Sequence, residues 1–471
     1  MEFYWVLSAS MAIIAVLAWL LFVRTGSFAF PLGVLFLYFW SLHGAWSIVA
    51  DGLGEGTEKH HHYLYEKIFP IELNDDYLWT LILYACFIVV IELTVLWKAE
   101  SCLAVTVPTP PVYISHGSLL LVSVIAAFSS YAIVKDQLAT AILLGKSGYS
   151  VTRGGLGELV PLFTLHQVLN RVALFSLAIG LAVFVVGRKG KWLVGETSAP
   201  IAVAYGIALS ILFVYLTILG NKNELFSALI LSGMFYSVNS NVIRPAMLGG
   251  VSILAVAGIG LVDFLRAFPV TALWEEVDWW EALQWAPEIR GSNEAFGAHF
   301  SLYGTLHFHA PLTYGSSLVS LLASVIPRIV WPERPGDIYA HYVDSVGIAG
   351  GIGEQGFTIH HAAGWYLNFG LPGLFAGAVI LGLVWAQCFN FYRRLERNGS
   401  SSRWWYMFAV LAPCGFLASV PPLIRAGPEG YKGVLIEGLL VPATVMLLAS
   451  YGHDLFRRTA PGLFPVQGRL P

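Results

Sequence analysis

Residues 324–335 read SVIPRIVWPERP and put two guanidiniums, Arg328 and Arg334, on a proline-stiffened elbow beside small apolar residues. A cation in an apolar setting is costly unless something anionic comes to it. Arginine stays charged at any relevant pH, and its planar fork matches phosphate oxygens. Pro327, Pro332 and Pro335 fix φ along the segment, so the guanidiniums are held in place. The plainer reading is that both side chains snorkel to a lipid headgroup. Against it stand further cations: Arg153 in YSVTRGGLGE, Arg171 in HQVLNRVALF, Lys222 in GNKNE and Arg425 in PPLIRAGPEGYK. Arg171 lies inside an apolar run, so it needs either an anionic ligand or an acid, and Glu92 and Glu437 are the candidate acids. Cations from separate loops converging on one pocket would suit a diphosphate.

A second group could move a proton. It comprises His309 in FHAP, His341 and Asp344 in AHYVDSVG, and Glu354, His360 and His361 in GIGEQGFTIHHAAGWYLNFG. An imidazole near neutral pKa, or a carboxylate, is what a sugar hydroxyl needs to lose its proton. The bland alternative is that such histidines cap helix ends. The run EKHHHYLYEK (His60, His61, His62) does not make a metal site, because adjacent histidines on a helix cannot face one ion.

The elements that must position these residues are membrane helices. Of 471 residues, 57% are hydrophobic and 12% charged, half the roughly 25% charge of a soluble domain. The net charge of −3 offers nothing to nucleic acid. Four cysteines without CxxC spacing support neither a disulfide framework nor zinc. Apolar runs of about 20 residues predict some 11 crossings. They fall near 4–23, 29–50, 77–97, 114–134, 164–187, 199–219, 225–240, 246–265, 363–391, 404–424 and 434–452. Short basic loops at 188–191, 393–403 and 457–458 belong in the cytoplasm, which places the N-terminus outside and the C-terminus inside. Three regions follow: helices and two external loops over 1–266, a large external loop over 267–362, and helices with a cytoplasmic tail over 363–471. A loop that long must contain structure. LTYGSSLVSLLASVIPRIVW reads as an interfacial or re-entrant helix within it.

The order TYGSSLVSLLASVIPRIVWPERP, external stretch, GWYLNFGLPGLFAGAVILGLVW resembles the Wzy-type O-antigen polymerases over about residues 310–385. GNKNELFSALIL is a weaker echo of the same family. The resemblance implies a GT-C-like, all-α polytopic glycosyltransferase in the plasma (inner) membrane. It would join polyprenyl-diphosphate-linked oligosaccharide repeats at the external face, without a metal or other cofactor. Arginine would neutralise the leaving diphosphate, the role a divalent ion fills elsewhere. Membrane lipid and a chain-length regulator would be its other partners. Arg328 carries over on the IPR match, Arg153 and Arg425 are placed by topology, and Arg171, Arg334 and Lys222 are further candidates to bind the diphosphate. His309, Tyr314, Tyr366 and Asn368 are expected to line the saccharide. At Gly364 the resemblance implies an acid that this chain lacks, so the base falls among Glu354, His360 and His361, with His361 nearest the matched motif.

Two other functions compete. A single-sugar transferase using a polyprenyl-phosphate donor would place acids in the first external loop and use a metal. A flippase or exporter would show internal repeats and charges along a path across the membrane. No repeat is visible, and the polar residues crowd one face.

Overall fold

The computed structural model describes residues 1–50, 72–101, 110–143, 160–219, 222–240, 261, 277–280, 294–323, 331, 333, 338–346 and 358–459. Nine helices among them are long and apolar enough to cross a membrane. The chain is an all-α polytopic membrane protein. In order these are α1 (Glu2–Thr25), α2 (Ala29–Ala50), α3 (Asp75–Lys98), α4 (His116–Leu143), α5 (Val160–Val186), α6 (Ala199–Leu219), α11 (His361–Asn398), α12 (Arg403–Ile424) and α13 (Gly427–Asp454). Among the described residues four shorter helices lie between α6 and α11: α7 (Lys222–Asn239), α8 (Glu294–His307), α9 (Ser316–Ala323) and α10 (Ile338–Ser345). The nine match nine of the expected crossings. The expected crossing at 225–240 is α7, whose polar first turn, Lys222 to Glu224, leaves it short of that standard. The one expected at 246–265 lies outside the described residues.

Local sequence explains the ends. Asn74 caps α3 by accepting from the Tyr77 N–H, with Asp75 and Asp76 in the positive first turn. Ser402 caps α12 in the same way through the Trp405 N–H. Gly26 closes α1 at φ 65°, a left-handed position that glycine takes freely. Helix α11 has 38 residues, more than a crossing needs, and breaks at Phe369 and Gly370 just before Pro372. Two π-helical turns, Phe39–His43 within α2 and Val434–Leu440 within α13, insert extra residues into otherwise regular crossings.

Helix α12 is the centre, 89% buried over its apolar window, with α11, α7, α2 and α13 around it. Helices α1 and α6 are only 22% and 17% buried and carry lipid-facing side chains such as Trp5, Trp19 and Ile211. At one end of the bundle a short parallel pair joins β1 (Val112–Tyr113) to β2 (Leu193–Val194). Asn239 at the foot of α7 pins it, accepting from the Trp192 and Leu193 N–H groups and donating to the Leu193 carbonyl. The basic residues gather here in ion pairs: Lys191 and Arg393 on Glu396, Arg394 and Arg397 on Glu100, and Arg403 on Asp454.

Small residues let α12 and α13 touch backbone to backbone. A Cβ on Gly415 would collide with the Gly438 carbonyl, and one on Gly438 with the Ser419 hydroxyl. Gly415→Val is therefore expected to cost about 1–3 kcal/mol, read as a lower unfolding temperature of the detergent-purified protein. An unchanged melting curve would contradict this packing.

Candidate functional site

The end of the bundle opposite the basic cluster holds most of the chemistry-bearing side chains. Its frame comes from α3 and α8. On α8, His299, Tyr303 and His307 recur every four residues and form one stripe. Tyr77 and Tyr84, two turns apart on α3, face that stripe: Tyr77 Oη donates to His299 Nε2 at 3.0 Å, and Tyr84 Oη donates to the His299 carbonyl at 2.9 Å. His299 Nδ1 in turn donates to the Ser41 carbonyl in the π-turn of α2, at 2.6 Å. Tyr303 and Asp76 complete the frame, the first receiving the Glu72 N–H and the second pairing with His307 at 3.0 Å.

His360 and His361 sit at its centre, both fully buried. His360 Nδ1 caps α11 by accepting from the Ala362 N–H, which leaves Nε2 to donate to Ser41 Oγ at 2.9 Å. His361 Nδ1 donates to the Gly427 carbonyl at 2.7 Å, while Nε2 accepts from Tyr431 Oη and Trp365 Nε1. All four ring nitrogens are spent inside the protein. His360 thus follows the plainer reading of a histidine that caps a helix end, and with no ring nitrogen free neither His360 nor His361 is placed to serve as the base.

The elbow after α12 joins this group. Ile359 and Ala426 form an isolated parallel bridge, with the Ile359 N–H on the Arg425 carbonyl and the Gly427 N–H on the Ile359 carbonyl. Arg425 is half-buried, its guanidinium 5.5 Å from the Trp40 ring centroid in cation–π contact. Gly364 is also explained. A Cβ there would lie 2.6 Å from Pro428, so the acid implied by the resemblance has no room.

Arg171 takes the ion-pair role left open by the sequence. It pairs with Glu437, in the π-turn of α13, and lies 3.8 Å from Glu224 in the first turn of α7. Its charge is therefore matched within the protein, and a diphosphate role for it is not supported by this geometry. Glu92 is not its partner. That carboxyl is fully buried in α3, and neither oxygen has a hydrogen-bond partner among the described residues.

The saccharide-lining candidates divide. Asn368 is fully buried and holds Thr313 and Ser317. Tyr366 is half-buried, whereas His309 and Tyr314 are exposed and take φ 49°, an uncommon conformation for such residues. His341 donates to the Pro311 carbonyl at 2.9 Å. Arg153, Arg328, Arg334 and Glu354 lie outside the described residues, as does the side chain of Lys222. Among the described residues no three His, Cys, Asp or Glu side chains converge as metal ligands.

Sequence reasoning missed Ser41, Tyr77, Tyr84, His299 and Tyr431. The four-residue His299–Tyr303–His307 repeat was the available signal. A second polar group also escaped it. Ser130 on α4 contacts His166 Nδ1 at 2.7 Å, Asn170 Oδ1 at 2.6 Å and Tyr215 Oη at 3.1 Å, and Asn170 Nδ2 closes the ring on His166 Nε2. This self-satisfied network ties α4, α5 and α6 together within the hydrocarbon.

Two outcomes follow. Burial holds the His299 pKa down at about 4, so the folded protein keeps that ring neutral. The unfolded chain protonates it near pH 6.5, so its contribution is whole above that pH and is lost as pH falls toward 4. Unfolding temperature should drop over this window, and His299→Asn should start lower at pH 7 yet lose less on acidification. Second, Arg171→Ala should cost about 3–5 kcal/mol by stranding Glu437, with Glu437→Gln in the same chain restoring part of the loss. Equal melting curves for wild type and Arg171→Ala would remove the ion pair from the account.

The chain matches no family model, no curated protein and no solved structure.

Proposed function

We propose that the protein is a membrane glycosyltransferase that polymerises oligosaccharide repeat units carried on polyprenyl diphosphate, working at the external face without a metal. The observation that carries this reading is the polarity of the bundle. One end is a set of basic loops locked in ion pairs, and the other gathers His299, His360, His361, Asp76, His307 and Arg425. Taking the basic end as cytoplasmic by the positive-inside rule would put the histidine end outside. The resemblance of residues 310–385 to Wzy-type polymerases supplies the reaction.

In this reading the growing chain leaves its carrier diphosphate as a hydroxyl of the incoming repeat attacks the anomeric carbon. Arg425, on its proline-glycine elbow, and Arg328 compensate the charge left on the diphosphate. A leaving group so neutralised needs no protonation, so one base suffices, unlike the carboxylate pair of a glycosidase. The buried rings of His360 and His361 have no free nitrogen, which moves the base to Glu354. A transporter is the weaker reading. Among the described residues the polar network around Ser130 is a closed ring and not a lined path.

Arg328→Ala should lose most polymer in a reaction with lipid-linked repeats, since each charge-assisted contact contributes about 1.5–3 kcal/mol. Arg328→Lys should recover only part, because an ammonium cannot form the fork. Glu354→Gln should stop polymer without altering the melting curve, whereas His361→Ala should lower the unfolding temperature first. A stable His361→Ala protein with slow turnover and unchanged lipid binding would return the base to that ring. Reaction of Ser400→Cys with an impermeant reagent from outside the cell would reverse the orientation.

A further inference from the structure

Helix α9 (Ser316–Ala323) is built inside out for a helix in water. It turns Ser317, Ser320 and Ala323 inward and leaves Val319 56% and Leu322 74% exposed. A helix at a water surface buries its apolar stripe and shows its polar one. The inward side is held by hydrogen bonds. Ser317 and Asn368 bond reciprocally at 2.9 and 2.6 Å, Thr313 Oγ1 donates to Asn368 at 3.0 Å, and the Thr313 N–H reaches the Leu367 carbonyl at 2.8 Å. These contacts seat the helix on the stretch of α11 just before its break at Phe369 and Gly370. The fit is close, since a Cβ on Gly315 would lie 2.9 Å from the Phe369 ring.

Phe369 and Leu371 are themselves exposed, and they head a stripe continuing through Phe375, Val379, Ile380 and Leu383 down the crossing. On a helix long and apolar enough to span a membrane, that stripe is the lipid face. The outward side of α9 adjoins it where Gly315 meets the Phe369 ring. We infer that α9 and Tyr314 are inserted into the lipid leaflet at the histidine end, with the acyl chains of the bilayer as the partner covering Val319 and Leu322. The eight described residues of the helix span about 12 Å, a length that fits within one leaflet. Tyr314, 80% exposed, then lies where tyrosines anchor at the lipid–water boundary and not against a saccharide. This placement stands whether or not the protein joins sugars.

The test uses nitroxide labels on Leu322→Cys and Val319→Cys in the full chain, reconstituted in phosphatidylcholine–phosphatidylglycerol nanodiscs. The labelling background is taken from the unsubstituted protein, in which Cys388 and Cys414 are buried, and the half-buried Cys86 is replaced by Ser in every labelled variant. Ser401→Cys, exposed in the turn between α11 and α12, is the water control. Collision with lipid-soluble oxygen should exceed collision with a water-soluble nickel chelate at 319 and 322, with the reverse at 401. Chelate collision at 319 and 322 equal to that at 401 would overturn the inference. So would spin–spin broadening between copies with both collisions lost, which would assign the face to a second copy of the chain. Two variants on one face guard against a local misfold at either.

Discussion

The hydrogen bond from His361 Nδ1 to the Gly427 carbonyl ties the start of α11 to the elbow between α12 and α13. Neither group is reached by water, so each must find its partner in the protein. Once that bond is made, much else is fixed. Gly364 must lack a side chain against Pro428, Ile359 must pair with Ala426, and Arg425 must project from a backbone strapped on both sides. The neighbouring His360 then reaches Ser41, and Ser41 reaches His299. Crossings α2, α11, α12 and α13 and the loop helix α8 are joined through one π-turn and three buried imidazoles. Such turns often accompany functional sites, and here they aim Ser41, Trp40 and Glu437.

The same scarcity of water explains the difference between the two ends. At the basic end the pairs of Arg394, Arg397 and Arg403 lie near the surface, where each contributes little to stability, whereas Glu396 is buried and held by both Lys191 and Arg393. At the histidine end the His299, His360 and His361 rings are buried, and a missing partner there is costly. A glycosyl transfer that releases a diphosphate asks for that arrangement: a rigid, largely neutral wall with arginine brought to it on an elbow.

The crossings were legible because an apolar run of about 20 residues is long enough to be recognised without its neighbours. The amphipathic extension of α11 to Asn398 was not, since YRRLERN is too charged for a span but remains helical beyond it. Arg171 was legible as a residue needing an acid, and Glu437 was among its candidates. The contacts of Ser41 were not, because its partners His299 and His360 lie 258 and 319 residues away. No local pattern carries pairings of that separation. The histidines misled for a related reason: an interfacial His before a span looks open in one dimension, and only packing shows which nitrogens are already used.

The central claim is a metal-independent transfer between lipid-linked saccharides. Purified protein incubated with a polyprenyl-diphosphate-linked repeat unit in excess EDTA tests it most directly. The account predicts a ladder of products spaced by one repeat, equal with and without the chelator. A ladder abolished by EDTA, extension by single sugars from a polyprenyl-monophosphate donor alone, or translocation of the intact repeat with no new bond would contradict it.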